Sequence, residues 1–60
     1  MANGIRNSYR IGVRPDPKDR SRYLWTLHGI RNMFWEESRT AYSSVEQALA
    51  EANARADQLD

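Results

Sequence analysis

Apolar and polar residues alternate along two segments of the chain, 9–14 and 22–28. This period of two predicts two strands, each with one face toward a core. The predicted core positions are Tyr9, Ile11, Val13, Tyr23, Trp25 and Leu27. The segment 15–21 contains two prolines, which cannot donate to a strand ladder, so we expect a loop there. A turn over 29–32 and a third strand over 33–38 follow.

The last quarter of the chain changes to a spacing of three and four residues, which predicts a helix over 44–58. Its apolar stripe consists of Val45, Ala48, Leu49, Ala52, Ala56 and Leu59. The sequence Ser43-Ser44-Val45-Glu46 fits a capping box, in which a serine hydroxyl accepts an amide hydrogen and Glu46 bonds back. Glu51 and Arg55 stand four residues apart in the order that favours an ion pair.

This order of elements predicts an α+β fold, β-β-β-α, with a three-stranded antiparallel β-meander and one C-terminal helix packed on one face. We expect a single domain over 8–60, preceded by a flexible N-terminal segment, 1–7. Because the helical stripe is mostly alanine, the helix can lie close to a sheet that carries large aromatic side chains.

The third predicted strand decides which apolar residues remain outside the core. A second core tryptophan would overfill a layer covered by one slim helix, so we expect Phe34 inside and Met33 and Trp35 outside. The open face of the sheet then has more apolar surface than a solitary monomer needs, which indicates a binding surface. Its predicted partner-binding residues are Arg10, Arg14, Arg22, Leu24, Thr26, His28, Met33 and Trp35.

The charges are unevenly distributed, although the net charge is only +1. Residues 1–35 hold seven basic and two acidic side chains, whereas residues 36–60 hold two basic and six acidic ones. This asymmetry predicts a basic sheet and an acidic helix, which suits an acidic partner or a second copy of the chain. The modest isoelectric point, near 8.2, favours an ordinary solvated basic face over a nucleic-acid interface.

Catalytic chemistry has little support in this sequence. There is no cysteine, and His28, the single histidine, has no nucleophile motif beside it. Asp16 and Asp19 have the proline-rich context of turn residues, while Glu36 and Glu37 are adjacent and would point to opposite faces of a strand. We therefore expect no enzymatic activity and no catalytic, metal or cofactor site. With no apolar run of signal-peptide or membrane-spanning length, we expect a cytoplasmic protein that does not bind membranes.

The stretch 25–38, WTLHGIRNMFWEES, resembles the central hairpin of the YegP-like small bacterial domains, with an aromatic-x-Leu strand, a turn, two apolar residues and a serine. Tyr42-Ser43-Ser44 with Ala48 is similar to the segment that leads into that family's helix. The turn departs from the family pattern, since Arg31-Asn32 stands where Asn-Gly is usual. The resemblance implies a β-β-β-α fold and no known chemistry.

Two other groups are similar in element order. The arm-DNA-binding domains of tyrosine integrases lay a three-stranded sheet into the major groove, and HicB-type antitoxin domains bind a protein partner. The leading hypothesis is a non-enzymatic interaction module that binds protein, itself or a larger target, through the open sheet face. A phage-encoded inhibitor would suit such a short chain. The alternative is a nucleic-acid-binding sheet that neutralises phosphates with Arg10, Arg14, Arg20 and Arg22.

Overall fold

The computed structural model of the chain describes residues 3–59, so residues 1, 2 and 60 of the predicted segment and domain lie outside the described residues. Four antiparallel strands form one sheet in chain order, and one C-terminal helix packs on it. The elements are β1 Asn3–Arg6, β2 Tyr9–Asp16, β3 Asp19–Gly29, β4 Trp35–Glu37 and α1 Val45–Leu59. The α+β class is confirmed, whereas the predicted number of three strands is wrong.

The additional strand is β1, which occupies part of the segment predicted to be flexible. Its sequence, NGIR, holds one apolar residue, Ile5, so it shows no alternation that could predict a strand. β1 pairs with β2 through a two-residue turn, Asn7-Ser8, and Asn7 has a φ of 56°. Asparagine tolerates this left-handed conformation better than most residues do, which explains its place in the turn.

The hairpin between β2 and β3 also differs from the prediction, which put a loop over 15–21. The last pair, Asp16 with Asp19, leaves only Pro17 and Lys18 in the turn, although residues 20–22 of β3 have no partner on β2. The register shifts between Pro15 and Asp16, and such an irregularity lets a strand accommodate a proline that cannot donate. The Asp16 carboxylate accepts the Lys18 amide hydrogen (2.9 Å) and so closes the turn.

The helix begins one residue later than predicted, and its cap is shifted by one position. Ser44 Oγ accepts the amide hydrogen of Gln47 (3.1 Å), which makes Ser44 the N-cap. The residue three positions after the cap is therefore Gln47, whose side chain accepts a hydrogen bond from Ser43 Oγ (2.7 Å). The predicted hydrogen bond from the Glu46 side chain back to the cap is wrong. Glu46 is the second residue after the N-cap, whereas a capping box requires the third.

The core lies between α1 and one face of the sheet, as the alternation predicted. Its buried members are Tyr9, Ile11, Val13, Trp25, Leu27, Ala48, Ala52 and Ala56. Phe34 is half-buried and packs edge-on against Tyr9, with ring centroids 5.5 Å apart. Trp35 is 54% exposed, so the expected division between Phe34 inside and Trp35 outside is confirmed. Tyr23 is half-buried at the edge of the core, where it pairs with Tyr42.

Two sets of hydrogen bonds to carboxylates join α1 to the sheet and its first turn. Asp57 on α1 accepts hydrogen bonds from Arg6 (2.9 and 3.0 Å) and from the Asn7 side chain (3.0 Å), which ties the β1–β2 turn to the helix. Glu36 on β4 accepts two hydrogen bonds from Arg55 (2.6 and 3.0 Å). Arg55 therefore binds the sheet and not Glu51, its predicted partner.

Acid is expected to loosen both attachments. Hydrogen bonds from Arg55 and Arg6 lower the pKa of Glu36 and of Asp57, respectively, below the ordinary values. A carboxyl group of lowered pKa contributes its full stabilisation above its unfolded pKa and loses it as the pH falls through the folded pKa. We expect the melting temperature to decline below about pH 4.5, and to decline less in a Glu36→Gln/Asp57→Asn double variant.

Circular dichroism melts at a series of pH values measure this difference. Glu46→Gln is the control, because Glu46 is exposed on the first helical turn and takes part in no ion pair among residues 3–59. Its acid profile is expected to follow that of the wild type. Parallel declines in the wild type and the double variant would contradict the assignment of these two attachments.

Candidate sheet-face binding surface

The face of the sheet opposite α1, called the open face below, carries a row of side chains that crosses all four strands. Ile5 on β1 stands opposite Arg10 on β2, Arg10 stands opposite His28 on β3, and His28 stands opposite Trp35 on β4. Directly opposed residues point to the same face, so these four side chains lie side by side. All four are exposed, Ile5 by 67% and Trp35 by 54%. We call this set the cross-strand row.

The strand register places six of the eight predicted partner-binding residues on the open face: Arg10, Arg14, Leu24, Thr26, His28 and Trp35. Arg22 has no cross-strand partner, because the register of the β2–β3 hairpin shifts beside it. Met33 does not lie on a strand as predicted, because β4 begins two residues later. It belongs to the loop between β3 and β4, where its side chain is 99% exposed.

The three arginines among the predicted partner-binding residues differ in their partners. Arg14 forms an ion pair with Glu37, which projects from β4 onto the same face. Arg22 lies 3.6 Å from the Asp19 carboxylate, a contact between two half-exposed side chains. Arg10 has no carboxylate within ion-pair distance and no hydrogen bond in the part of the chain that the structure describes. The centre of the row therefore carries an uncompensated positive charge.

Trp35 and His28 form a polar aromatic pair beside Arg10. The indole Nε1 of Trp35 donates to Nε2 of His28 at 3.1 Å, and the two rings meet edge-on with centroids 6.1 Å apart. An imidazole nitrogen that accepts a hydrogen bond carries no proton, so the neutral ring holds its proton on Nδ1. The contact with Trp35 thus favours one orientation of the His28 ring and the tautomer with the proton on Nδ1.

A shallow pocket of about 390 Å³ opens beside this pair, lined by Arg10, His28, Gly29 and Ile30. The Ile30 amide donates to the Ser8 carbonyl (3.0 Å), so the wall of the pocket is tied to the β1–β2 turn. A Cβ on Gly29 would lie 1.8 Å from the Asn32 side-chain oxygen, which itself accepts the Phe34 amide hydrogen (3.0 Å). Only glycine fits at this position without displacing the loop.

A second cleft, of about 500 Å³, lies between β4 and α1 and is a weaker candidate. Two of its charged residues, Glu36 and Arg55, neutralise each other through their two hydrogen bonds. Trp25 also lines it and has a buried Nε1–H with no acceptor among the described residues. That nitrogen is fully covered, so it is out of reach of a ligand in the cleft.

The described residues contain neither a cluster of potential metal ligands nor a helix that could cross a membrane. Among residues 3–59, the structure groups no three histidine and carboxylate side chains in an arrangement that could hold a metal ion. Within that same range, α1 is neither long nor apolar enough to cross a bilayer. Glu36 and Glu37 point to opposite sides of β4, as predicted, since one contacts Arg55 on α1 and the other contacts Arg14 on the open face.

Sequence reasoning missed three residues of this surface: Ile5, Ile30 and Glu37. Ile5 belongs to the strand that was not predicted, and Ile30 was assigned to a turn. Glu37 could have been placed on the open face from its parity with Trp35, but its pairing with Arg14 depends on the strand register.

Comparison with known protein families, curated proteins and solved structures finds no match to this chain. The resemblances to YegP-like domains, integrase arm-binding domains and HicB-type antitoxins therefore stay predictions.

Proposed function

We propose that this chain is a non-enzymatic, cytoplasmic interaction module that binds a protein partner through its open sheet face. The observation that carries the proposal is the cross-strand row, in which Ile5 and Trp35 are more than half exposed on either side of Arg10 and His28. Tryptophan and arginine are the residues that most often dominate protein interfaces. The helix covers the other face, so this row is free to meet a partner.

Further apolar residues are exposed in the loop between β3 and β4. Ile30 is 47% exposed and Met33 is 99% exposed in the loop that precedes Trp35. Exposed large apolar side chains that lie close together are typical of binding surfaces. Methionine, being flexible and polarisable, adapts to partners of different shape.

Nucleic acid is the second candidate, since arginines on a sheet could contact phosphates. The pairing of charges favours protein. Arg14 already binds Glu37, Arg22 already contacts Asp19, and the Glu37 carboxylate itself would repel a phosphate backbone. Arg10 remains as the only uncompensated arginine among the open-face residues that the structure describes.

Site-specific photocrosslinking in the native host tests this proposal. A benzoylphenylalanine is placed at Met33, beside the open face, and in a second protein at Ala54, an exposed position on α1. We expect protein adducts from Met33 and none from Ala54, and mass spectrometry then identifies the partner. Adducts with nucleic acid, or equal adducts from both positions, would refute the proposal.

The partner identified in this way permits a second measurement. Trp35→Ala is expected to weaken its binding at least about tenfold, as interface tryptophans commonly do. The urea midpoint of this variant should stay close to that of the wild type, because the side chain lies outside the core. Glu51→Ala on the exposed side of α1 serves as the control and is expected to bind normally.

A further inference from the structure

The pocket at the end of β3 is lined by two side chains, Arg10 and His28, whose hydrogen-bond donors are not all used by the residues that the structure describes. The guanidinium of Arg10 is one such donor, since it contacts no acceptor in the described part of the chain. The second is Nδ1–H of His28, the donor that the neutral ring keeps when Nε2 accepts from Trp35. No acceptor for Nδ1–H is found within residues 3–59.

The surroundings of these donors are apolar. Ile30 forms one wall of the pocket, Gly29 adds no side chain, and Ile5 flanks Arg10 on the adjacent strand. A charge-assisted hydrogen bond is stronger where apolar neighbours reduce its contact with water. The pocket thus combines a cationic fork and one directed N–H donor with an apolar rim.

We infer that this pocket binds a carboxylate side chain of the protein partner, presented between apolar residues. The inference rests on the proposed function and names the chemistry of the contact. A carboxylate has two oxygens and can accept from the Arg10 guanidinium and from His28 Nδ1–H together. The flanking apolar side chains of the partner pack on Ile5, Ile30 and Trp35.

A second copy of this chain complements the charge of the open face less well than an acidic partner does. The open face carries more arginines than carboxylates, so two copies placed face to face would oppose like charges. The exposed carboxylates of α1, such as Glu46 and Glu51, lie on the opposite side of the molecule. Pairing them with the open face would be head-to-tail, and such contacts generate open chains of molecules unless the rotation closes a ring.

The tautomer of His28 can be tested without any partner. Nitrogen-15 correlation spectra of the imidazole are expected to show the wild-type ring protonated on Nδ1 at neutral to mildly basic pH. Trp35→Phe keeps an aromatic ring but removes the Nε1–H donor, and this variant should lose that preference. A wild-type ring protonated on Nε2 would overturn the inference, because the second donor would then be missing from the pocket.

Peptide titration tests the pocket itself. The probe is an acetylated, amidated pentapeptide, Val-Leu-Asp-Leu-Val, and its matched control has asparagine in place of aspartate. We expect the aspartate peptide to shift the nuclear magnetic resonance signals of the Arg10 guanidinium and the His28 ring, and the asparagine peptide to bind at least about tenfold more weakly. Arg10→Gln should abolish the shift of the His28 ring, whereas Arg20→Gln, at an exposed arginine of the β2–β3 hairpin, should leave both shifts in place.

Three results of this titration would overturn the inference: equal binding of the two peptides, no shift at millimolar aspartate peptide, or displacement of the peptide by a thymidine oligonucleotide that binds the same residues more tightly. Failure of the proposed function is seen in the crosslinking experiment instead, as nucleic-acid adducts or as equal adducts at Met33 and Ala54. Adducts that persist at wild-type yield in Arg10→Gln would overturn the carboxylate contact and leave the proposed function in place.

Discussion

Replacing Leu27 with alanine is expected to leave much of the chain unfolded at 25 °C. Leu27 is fully buried in β3, where it stands opposite Ile11 and contributes to the core beneath α1. Truncation of a buried leucine to alanine costs about 2–5 kcal/mol, because apolar contacts are lost and a cavity remains. A domain of this length is stabilised by only a few kcal/mol, so one such loss removes most of its stability. Urea denaturation followed by circular dichroism measures it.

Leu24→Ala is the matched control for this variant. Leu24 lies on the same strand, but it stands opposite Arg14 on the open face and is only half-buried. The same loss of three carbon atoms should therefore lower the free energy of unfolding much less than Leu27→Ala does. Equal losses at the two positions would contradict the assignment of β3 faces, and with it the placement of the open face.

The sequence predicted those parts of the fold in which one periodic pattern runs along a whole element. The alternation of Tyr9, Ile11 and Val13 gave the buried face of β2, because a strand buried on one side must place every second residue inward. The alanine stripe predicted α1 to within one residue at each end. Such patterns are local, so they can be recognised without knowing which strands pair.

Features that depend on pairing were not predicted. β1 has a single apolar residue and is held by backbone hydrogen bonds to β2 and by the attachment of Arg6 and Asn7 to Asp57, some fifty residues away in the chain. The hairpin around Pro17 continues further than its prolines suggested, because the register shift at Pro15 absorbs the missing donor. Neither the distant carboxylate nor the shift leaves a signal in the local sequence.

In the candidate site, too, features that follow from a local pattern were predicted and features that depend on strand pairing were not. Strand parity was sufficient to put six of the predicted residues on the open face. Their neighbours were not predictable, because a cross-strand contact depends on register: Trp35 reaches His28, and Glu37 rather than a partner neutralises Arg14. These pairings change the interpretation of the surface from an apolar face with several free arginines to one uncompensated arginine, Arg10, among apolar residues.

Ala52→Leu is expected to destabilise the fold by about 1–3 kcal/mol or more, through overpacking. Ala52 is fully buried in the middle of α1, where the helix packs on the sheet next to large side chains such as Trp25 and Leu27. The short alanine side chain allows the helix to lie close, so the larger leucine must push the helix away from the sheet or adopt an unfavourable rotamer. A lowered urea midpoint, measured by circular dichroism, checks this expectation.

Ala54→Leu makes the same chemical change on the exposed side of α1. Leucine and alanine have similar helix propensities, so this variant should unfold within about 0.5 kcal/mol of the wild type. A large difference between the two variants would support the close approach of helix and sheet on which the free open face depends. If Ala52→Leu were as stable as Ala54→Leu, the helix would not pack on that side of the sheet, and the cross-strand row could no longer be assigned to an uncovered face.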